Sequence, residues 1–116
     1  GEFAPLPYGR THFVRGGGGA GASSAPLVLL IHGVSTPAVY AWRELAPLLH
    51  ARGFRTLAFD LYGRGWSDAP GGGAAMTAEF FAAQAAALLV HANETAAAVH
   101  VVGLSLGGPV AGGVAR

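Results

Sequence analysis

The chain has 116 residues, of which 52% are hydrophobic and 11% are charged, and this balance excludes an intrinsically disordered segment. Its seven basic residues are arginines scattered along the sequence, and the formal net charge is +1, so we expect neither nucleic acid nor an anionic membrane surface as a partner. The chain has no cysteine, which excludes disulfides, a thiolate nucleophile and a cysteine-ligated zinc site.

Neither the apolar runs nor the first residues carry a membrane or export signal. The longest strongly apolar run, Pro26 to Ile31, is far shorter than the roughly 20 residues that span a bilayer, so no transmembrane segment is predicted. The residues that follow Gly1 lack the charged, apolar and small-residue order of a secretory signal. We therefore favour a soluble protein of the cytoplasm or an organelle over a secreted one, and the oligomeric state is not predicted.

The N-terminal third of the chain predicts two strands joined by a turn. Residues Gly9 to Arg15 alternate between polar and apolar side chains, the pattern of a strand with one solvated face. Residues Gly16 to Ser24 are almost all Gly, Ala or Ser and predict a flexible turn. Leu27 to Ile31 is continuously apolar, as expected of a parallel strand that is buried on both faces.

The middle of the chain predicts a helix and then a second buried strand. Large apolar residues recur there at helical spacing, and Gly53 provides the stop. Pro47 lies inside this stretch and should bend the helix or delay its start. The strand follows at Phe54 to Phe59. The apolar residues of the helix are Trp42, Leu45, Leu48 and Leu49.

The remainder predicts a glycine-punctuated turn at Asp60 to Asp68, an alanine-rich helix that starts near Thr77, and a third strand at Val99 to Gly103. Strands that alternate with helices pair in parallel, so the fold class is α/β. We expect an open, mostly parallel sheet with helices on both faces, in which residues 1–116 form part of a single domain. Ligands of such sheets bind beyond the carboxyl ends of the strands.

The strongest chemical signal is a Gly-x-Ser-x-Gly sequence between the third strand and a following helix. Ser105 would lie on a sharp turn that tolerates only very small residues two positions before and after it, and Gly103 and Gly107 satisfy this. The N–H of Leu106 would face an oxyanion. The alternatives are a chance match in a glycine-rich chain and a dinucleotide-binding loop, which would need glycine at position 105.

A second oxyanion donor must come from the loop after a neighbouring strand, and the first buried strand runs into His32 and Gly33. Gly33 would let the chain turn its N–H groups inward, and Val34 is the candidate donor. His32 precedes Ser105 in the chain, and we expect it to orient the loop through hydrogen bonds rather than to act as the base.

The turn at Asp60 to Asp68 offers a carboxylate at a strand end. Asp60 could be a catalytic acid or could fix the turn, and we favour the turn, because the acid follows the nucleophile in chains with a serine on such an elbow. Gly63 and Gly65 suit unusual backbone angles. For Tyr62 and Trp66, packing and substrate contact remain equally open. The other histidines, His12, His50, His91 and His100, are read as surface or strand-end residues, and no metal site is predicted.

Three segments together resemble the α/β-hydrolase superfamily, in its N-terminal part: Ile31-His32-Gly33, the Asp60 to Asp68 turn, and Gly103 to Gly108. The resemblance is closest to the serine esterase and lipase-like branch, which also includes carbon–carbon bond hydrolases. Epoxide hydrolases and haloalkane dehalogenases share the surrounding motifs but carry aspartate at the position of Ser105.

The resemblance implies a triad in the order Ser, Asp or Glu, His, acting on a small-molecule ester-like substrate through an acyl-enzyme, with no metal or organic cofactor. Only Ser105 matches a triad position. The acid, the histidine and any lid are expected beyond residue 116, so the chain alone should be nearly inactive. A carbon–carbon hydrolase and a non-catalytic binding protein are the alternatives. The resemblance also implies that the strand ending at Gly103 is central in the complete fold and exposed at its outer edge here.

Overall fold

The computed structural model of the protein describes residues 1–17, 25–33, 38–71, 77–94, 99–103, 109 and 112–114. Its strands are β1 (Glu2–Leu6), β2 (Gly9–Gly17), β3 (Leu27–Ile31), β4 (Arg55–Phe59) and β5 (Val99–Gly103). Its helices include α1 (Ala38–Ala41), α2 (Leu45–Ala51) and α3 (Ala78–His91). The strands form one five-stranded sheet in the order β1-β2-β4-β3-β5.

The sheet is mixed, and its parallel part contains the strands that the apolar runs predicted. β3 pairs in parallel with β4 on one side and with β5 on the other. β1 and β2 form an antiparallel hairpin, and β2 joins the sheet antiparallel to β4. The predicted α/β fold class is therefore confirmed, with the hairpin as an antiparallel edge on a parallel core.

β3 lies between β4 and β5 in the sheet, and each of its five residues is buried. Alternate side chains of a strand point to opposite faces, so β3 contributes to two separate cores. On one face it packs with α3, and on the other with α1 and Trp42. The first core contains Leu27, Leu29, Ile31, Phe81, Ala85 and Leu88; the second contains Val28, Leu30, Ala38, Trp42 and Ala58. Helices therefore cover both faces, as predicted.

The N-terminal edge of the sheet was not predicted in full. β1 contains Pro5, and its alternation is too short to predict a strand; proline is tolerated because β1 is an edge strand. The predicted flexible turn was wrong at its start, because Gly16 and Gly17 continue β2 and pair with Thr56 and Arg55. A Cβ at Gly16 would lie 2.8 Å from the His50 ring, which explains the absence of a side chain there. Residues 18–24 lie outside the described residues.

The helix predicted around Trp42 is divided into α1 and α2 by a turn at residues 42–44. Pro47 is the third residue of α2, in the first turn, where its missing N–H is not needed for an intrahelical hydrogen bond. Leu48 was expected on the apolar face of this helix and is instead 64% exposed. Trp42, Leu45 and Leu49 do pack in one core, as the spacing predicted, and Leu48 is the member of the predicted set that lies outside it.

α3 begins at the predicted position, and its start has a physical cause. The hydroxyl of Thr77 accepts a hydrogen bond from the N–H of Phe80 at 3.1 Å, which caps the helix. After the helix, Asn93 has a φ of 60°, a left-handed conformation common at helix ends. Glu94 then forms a bidentate ion pair with Arg55 at the start of β4, with N–O distances of 2.5 and 3.2 Å. Both ends of α3 are thus defined by side-chain contacts.

β5 lies at the far edge of the sheet from β1 and pairs with β3 alone among the described strands. Val102 is 38% exposed, and His100 is exposed beside it on the same face. Within the described residues, no helix is long and apolar enough to cross a membrane.

The position of β3 predicts which leucines stabilise the fold. Leu29 is fully buried, whereas Leu48 on α2 is largely exposed. We expect Leu29→Ala to lower the free energy of unfolding by about 2–5 kcal/mol, because it leaves a cavity in the core. The matched change Leu48→Ala should cost about 0.5 kcal/mol or less. Urea denaturation measures both, and equal losses from the two variants would contradict the burial of Leu29 in β3.

Candidate functional site

The carboxyl ends of the three parallel strands meet at one edge of the sheet. Ile31 is in register with Phe59 on one side and with Gly103 on the other, so the residues that follow these three strands emerge side by side. His32 and Gly33 follow β3, Asp60 follows β4, and Gly103 ends β5. Four predicted site residues lie outside the described residues: Val34, Ser105, Leu106 and Gly107.

Asp60 is completely buried, and both oxygens of its carboxylate are hydrogen-bonded. Oδ1 accepts the backbone N–H of Ala38, the first residue of α1, at 2.8 Å. Oδ2 accepts the backbone N–H of Trp66 at 3.1 Å and lies 3.0 Å from Nδ1 of His12. A buried carboxylate is costly unless it is fully hydrogen-bonded, and here three donors from three segments meet it. The side chain therefore joins β2, the start of α1 and its own turn.

His32 is completely buried at the end of β3 and uses both ring nitrogens. Nε2 accepts the backbone N–H of Leu61 at 3.0 Å, so the proton of the neutral ring is on Nδ1, which donates to the carbonyl of Gly33. Burial lowers the pKa of His32, and the hydrogen bond to Gly33 and the charge of Asp60 oppose this only in part. The ring is thus neutral and links the end of β3 to the residue after Asp60.

A buried polar network contacts the backbone of Asp60 and of its turn, and the sequence did not predict this network. Gln84 of α3 accepts the N–H of Tyr62 at 3.0 Å and donates to the Asp60 carbonyl at 3.2 Å and to the hydroxyl of Thr11 at 2.9 Å. His12, read from the sequence as a surface or strand-end residue, is only 7% exposed. One signal was present for Gln84, which is an isolated amide in the otherwise apolar middle of α3.

Ser67, His12 and Asp60 lie together in this network, but their hydrogen bonds are not those of a catalytic triad. The Ser67 hydroxyl donates to the backbone carbonyl of Asp60 at 2.6 Å and accepts the backbone N–H of His12 at 2.9 Å. A nucleophile must instead give its proton to the imidazole. The Ser67 hydroxyl is also buried, so this cluster is structural.

The two aromatic residues of the turn have different environments. Tyr62 is 1% exposed and packs beside Phe80, with its hydroxyl 3.3 Å from the backbone N of Tyr8. Trp66 is 65% exposed and meets the His12 ring edge-on at 6.3 Å. Tyr62 is thus a packing residue, and Trp66 presents a large apolar surface to solvent at the edge of the sheet where the site residues lie.

Gly63 and Gly65 have positive φ values of 75° and 52°, which side chains rarely adopt. Gly65 also faces Asp60, because a Cβ there would lie 2.5 Å from the Asp60 carboxyl carbon. The turn closes where the backbone N–H of Arg10 donates to Asp68 at 2.8 Å; this contact and the Arg10 guanidinium lower the pKa of Asp68.

Among the described residues, no group of three or more His, Asp or Glu side chains is arranged to hold a metal ion.

Comparison with known families identifies the family to which this fold belongs. The profile of the α/β hydrolase fold family matches residues 26–115. The chain belongs to this family. The match begins just before β3 and extends past β5, so it covers the three parallel strands and the segments that follow them. Among curated protein sequences, none matches the chain.

Solved structures of α/β hydrolases superpose on this chain with TM-scores near 0.8. An epoxide hydrolase from an endophytic Streptomyces is 34% identical, with a TM-score of 0.82 over 98% of this chain and 32% of its own. The enol-lactonase from Burkholderia xenovorans LB400 is 27% identical, with a TM-score of 0.80 over 94% and 39%. A thioesterase domain from the curacin biosynthetic pathway is 27% identical, with a TM-score of 0.77 over 91% and 35%. The chain thus spans 32–39% of the length of these three.

The Asp60 turn predicts which glycine cannot be replaced. Gly65→Ala should destabilise the fold by about 2 kcal/mol or more, because alanine disfavours a positive φ and its Cβ would overlap the Asp60 carboxylate. Gly71→Ala is the matched control, since a Cβ there meets nothing within 4 Å, and we expect a change within about 0.5 kcal/mol. Thermal unfolding compares them, and a neutral Gly65→Ala would contradict the described turn.

The environment of His32 predicts a pH dependence of stability. Its pKa is lower in the folded protein than its ordinary value of 6.5, so the unfolded chain binds the proton more readily. The stabilisation is complete above pH 6.5 and declines as the pH falls through the folded pKa, with a slope of at most about 1.4 kcal/mol per pH unit. Urea titrations between pH 7.5 and 5 should detect this decline.

Two variants isolate the His32 contribution. His32→Gln should flatten the slope over this range, whereas His91→Gln, at an exposed position, should leave it unchanged. Glu2 and Asp68 also have lowered pKa values, but their contributions are lost below their ordinary values of 4.5 and 3.8, outside the measured range. An unchanged slope in His32→Gln would refute the assignment.

Proposed function

We propose that the protein to which this chain belongs hydrolyses a carboxylic ester or a related acyl bond through an acyl-enzyme on Ser105. In this proposal the Ser105 hydroxyl gives its proton to a base of the whole protein and attacks the carbonyl carbon, and the N–H groups of Val34 and Leu106 stabilise the negative charge that develops on the carbonyl oxygen. The ester C–O bond then breaks, the alcohol leaves with the proton, and water cleaves the acyl-enzyme to release the acid and restore the Ser105 hydroxyl. Gly103 and Gly107 allow the sharp bend around the nucleophile, and His32 and Gly33 support the loop that carries Val34.

The observation that carries this proposal is the parallel pairing of β3 and β5. Ile31 and Gly103 are in register at the ends of adjacent strands. Val34 comes three residues after β3, and Ser105 comes two residues after β5. Adjacent parallel strands lie about 4.8 Å apart, so loops that leave them at the same end start within reach of one substrate carbonyl. This is the arrangement that a two-loop oxyanion hole requires.

Two of the similar structures have names that support acyl chemistry. The enol-lactonase and the thioesterase domain are named for ester and thioester bonds, and a serine hydroxyl is a nucleophile suited to both. The substrate of this protein is accordingly proposed to be a small ester-like molecule. The acid and histidine that would complete a triad are not assigned to any residue of this chain, and the activity proposed is that of the whole protein.

Epoxide hydrolysis is a second candidate, because the Streptomyces epoxide hydrolase is 34% identical over nearly the whole chain. The residue at position 105 argues against it. Epoxide hydrolases resemble this chain in the surrounding motifs but carry aspartate where Ser105 stands. A carboxylate opens an epoxide to give an ester intermediate, whereas an alcohol nucleophile first needs a base to take its proton. The two candidates therefore differ in how residue 105 reacts.

A fluorophosphonate probe tests the proposal, since it modifies activated serines covalently. In the longest natural protein that contains this chain, we expect the wild type to be labelled and Ser105→Ala to lose labelling by about 1,000-fold or more. Ser23→Ala, in the Gly-, Ala- and Ser-rich segment before β3, is the matched control and should be labelled like the wild type. Equal labelling of wild type and Ser105→Ala would exclude Ser105 as the nucleophile, and turnover of an epoxide but not of an ester would favour the second candidate.

A further inference from the structure

The four residues 34–37 connect β3 to α1, and the chain on each side of them is attached to the end of β4. On the side of β3, the ring of His32 accepts the N–H of Leu61 and donates to the carbonyl of Gly33. On the side of α1, the N–H of Ala38 donates to Oδ1 of Asp60 at 2.8 Å. Asp60 and Leu61, the two residues that follow β4, thus contact the described residues on both sides of residues 34–37.

We propose that Asp60 is a positioning residue for the reaction, which acts through the segment that carries Val34. This inference rests on the proposed function, because it assigns Val34 as an oxyanion donor. The carboxylate does not touch the substrate in this proposal. It fixes where residues 34–37 end, and the His32 ring fixes where they begin.

The two oxygens of the carboxylate have different partners, and this difference supports the proposed role. Oδ2 serves the local turn, since it accepts the N–H of Trp66 and faces His12. Oδ1 accepts the N–H of Ala38, which is 22 residues upstream and is the first residue of α1. A residue needed only for its own turn would require Oδ2 alone. Oδ1 adds a contact with another segment at the carboxyl edge of the sheet, where a displaced oxyanion donor would slow the reaction.

Asp60 is itself held rigidly, as a positioning residue must be. Its backbone N–H donates to the carbonyl of His12 at 2.9 Å, and its own carbonyl accepts from Ser67 and Gln84 at 2.6 and 3.2 Å. The side chain is completely buried, so solvent does not compete for its hydrogen bonds. Oxyanion donors act over 2.7–3.1 Å, so a rigid support is worth more than a flexible one.

Three variants test the inference in the longest natural protein that contains this chain. Asp60→Ala removes both oxygens. Asp60→Asn keeps one oxygen that can accept the Ala38 N–H, while its amide nitrogen replaces the oxygen that serves Trp66. Asp68→Ala is the matched control: it removes a carboxylate from the same turn, and the described contacts of Asp68 are with Arg10 and Gly63. The probe is p-nitrophenyl acetate, followed under steady-state and single-turnover conditions.

The expected results separate positioning from folding. Asp60→Ala should lower kcat by about 100-fold and leave KM within about twofold, because an oxyanion donor acts on the transition state and not on bound substrate. Asp60→Asn should recover at least tenfold of this loss, and folded Asp68→Ala should retain the wild-type kcat. A wild-type kcat in folded Asp60→Ala, or a change confined to KM, would overturn the inference.

Amide hydrogen exchange in the wild type keeps the test decisive if Asp60→Ala does not fold. The amides of Ala38 and Leu61 should both be protected, and in Asp60→Asn the Ala38 amide should stay protected while that of Trp66 exchanges faster. Rapid exchange at Ala38 in the wild type would remove the contact on which the inference depends. If the wild type neither turns over the ester nor reacts with a fluorophosphonate, the proposed function fails, and the exchange data still decide whether Asp60 holds this segment.

Discussion

The structure depends on one buried carboxylate. An ionised group in the interior is stable only when every oxygen is hydrogen-bonded, and Asp60 meets this requirement with donors from β2, from the first residue of α1 and from its own turn. The consequences extend to its neighbours. Gly65 must lack a side chain because the carboxylate fills the space beside it, and the turn must bring the Trp66 N–H inward. The segments that follow β3 and β4 are therefore not independent loops.

The sheet supplies the frame on which this carboxylate acts. β3 packs on both faces and pairs on both edges, so its carboxyl end is fixed by two cores and two neighbouring strands. His32 follows directly after this strand, so the position of the strand fixes the position of the His32 backbone. Gln84 then ties the turn after β4 to α3, which packs on the opposite side from α1. Rigid elements thus surround the edge of the sheet where the proposed chemistry takes place.

Membership of the α/β hydrolase fold family accounts for this frame but not for a substrate. The similar structures include proteins named as an epoxide hydrolase, an enol-lactonase and a thioesterase domain, and all of them share the fold of this chain with TM-scores of 0.77–0.82. Proteins with this one fold are therefore named for the cleavage of different bonds, as expected when the reaction depends on particular side chains and not on the fold. In this chain, Ser105 is the residue proposed to decide between ester and epoxide hydrolysis.

The sequence by itself determined the fold class, the three parallel strands and the start of α3, because continuous apolar runs and a threonine cap are local signals. It also pointed to His32 and Asp60 as residues of the loops, through their position after buried strands. Only the tertiary structure decided that His12, Thr11 and Gln84 join Asp60 in one buried network, that Gly16 and Gly17 extend β2, and that Leu48 faces solvent. The network joins residues that lie 24 to 73 positions apart in the chain. The core beside α2 is formed by Trp42, Leu45 and Leu49 without Leu48. Hydrogen bonds between distant segments form only after packing has brought those segments together. Patterns among neighbouring residues in the sequence therefore do not predict them.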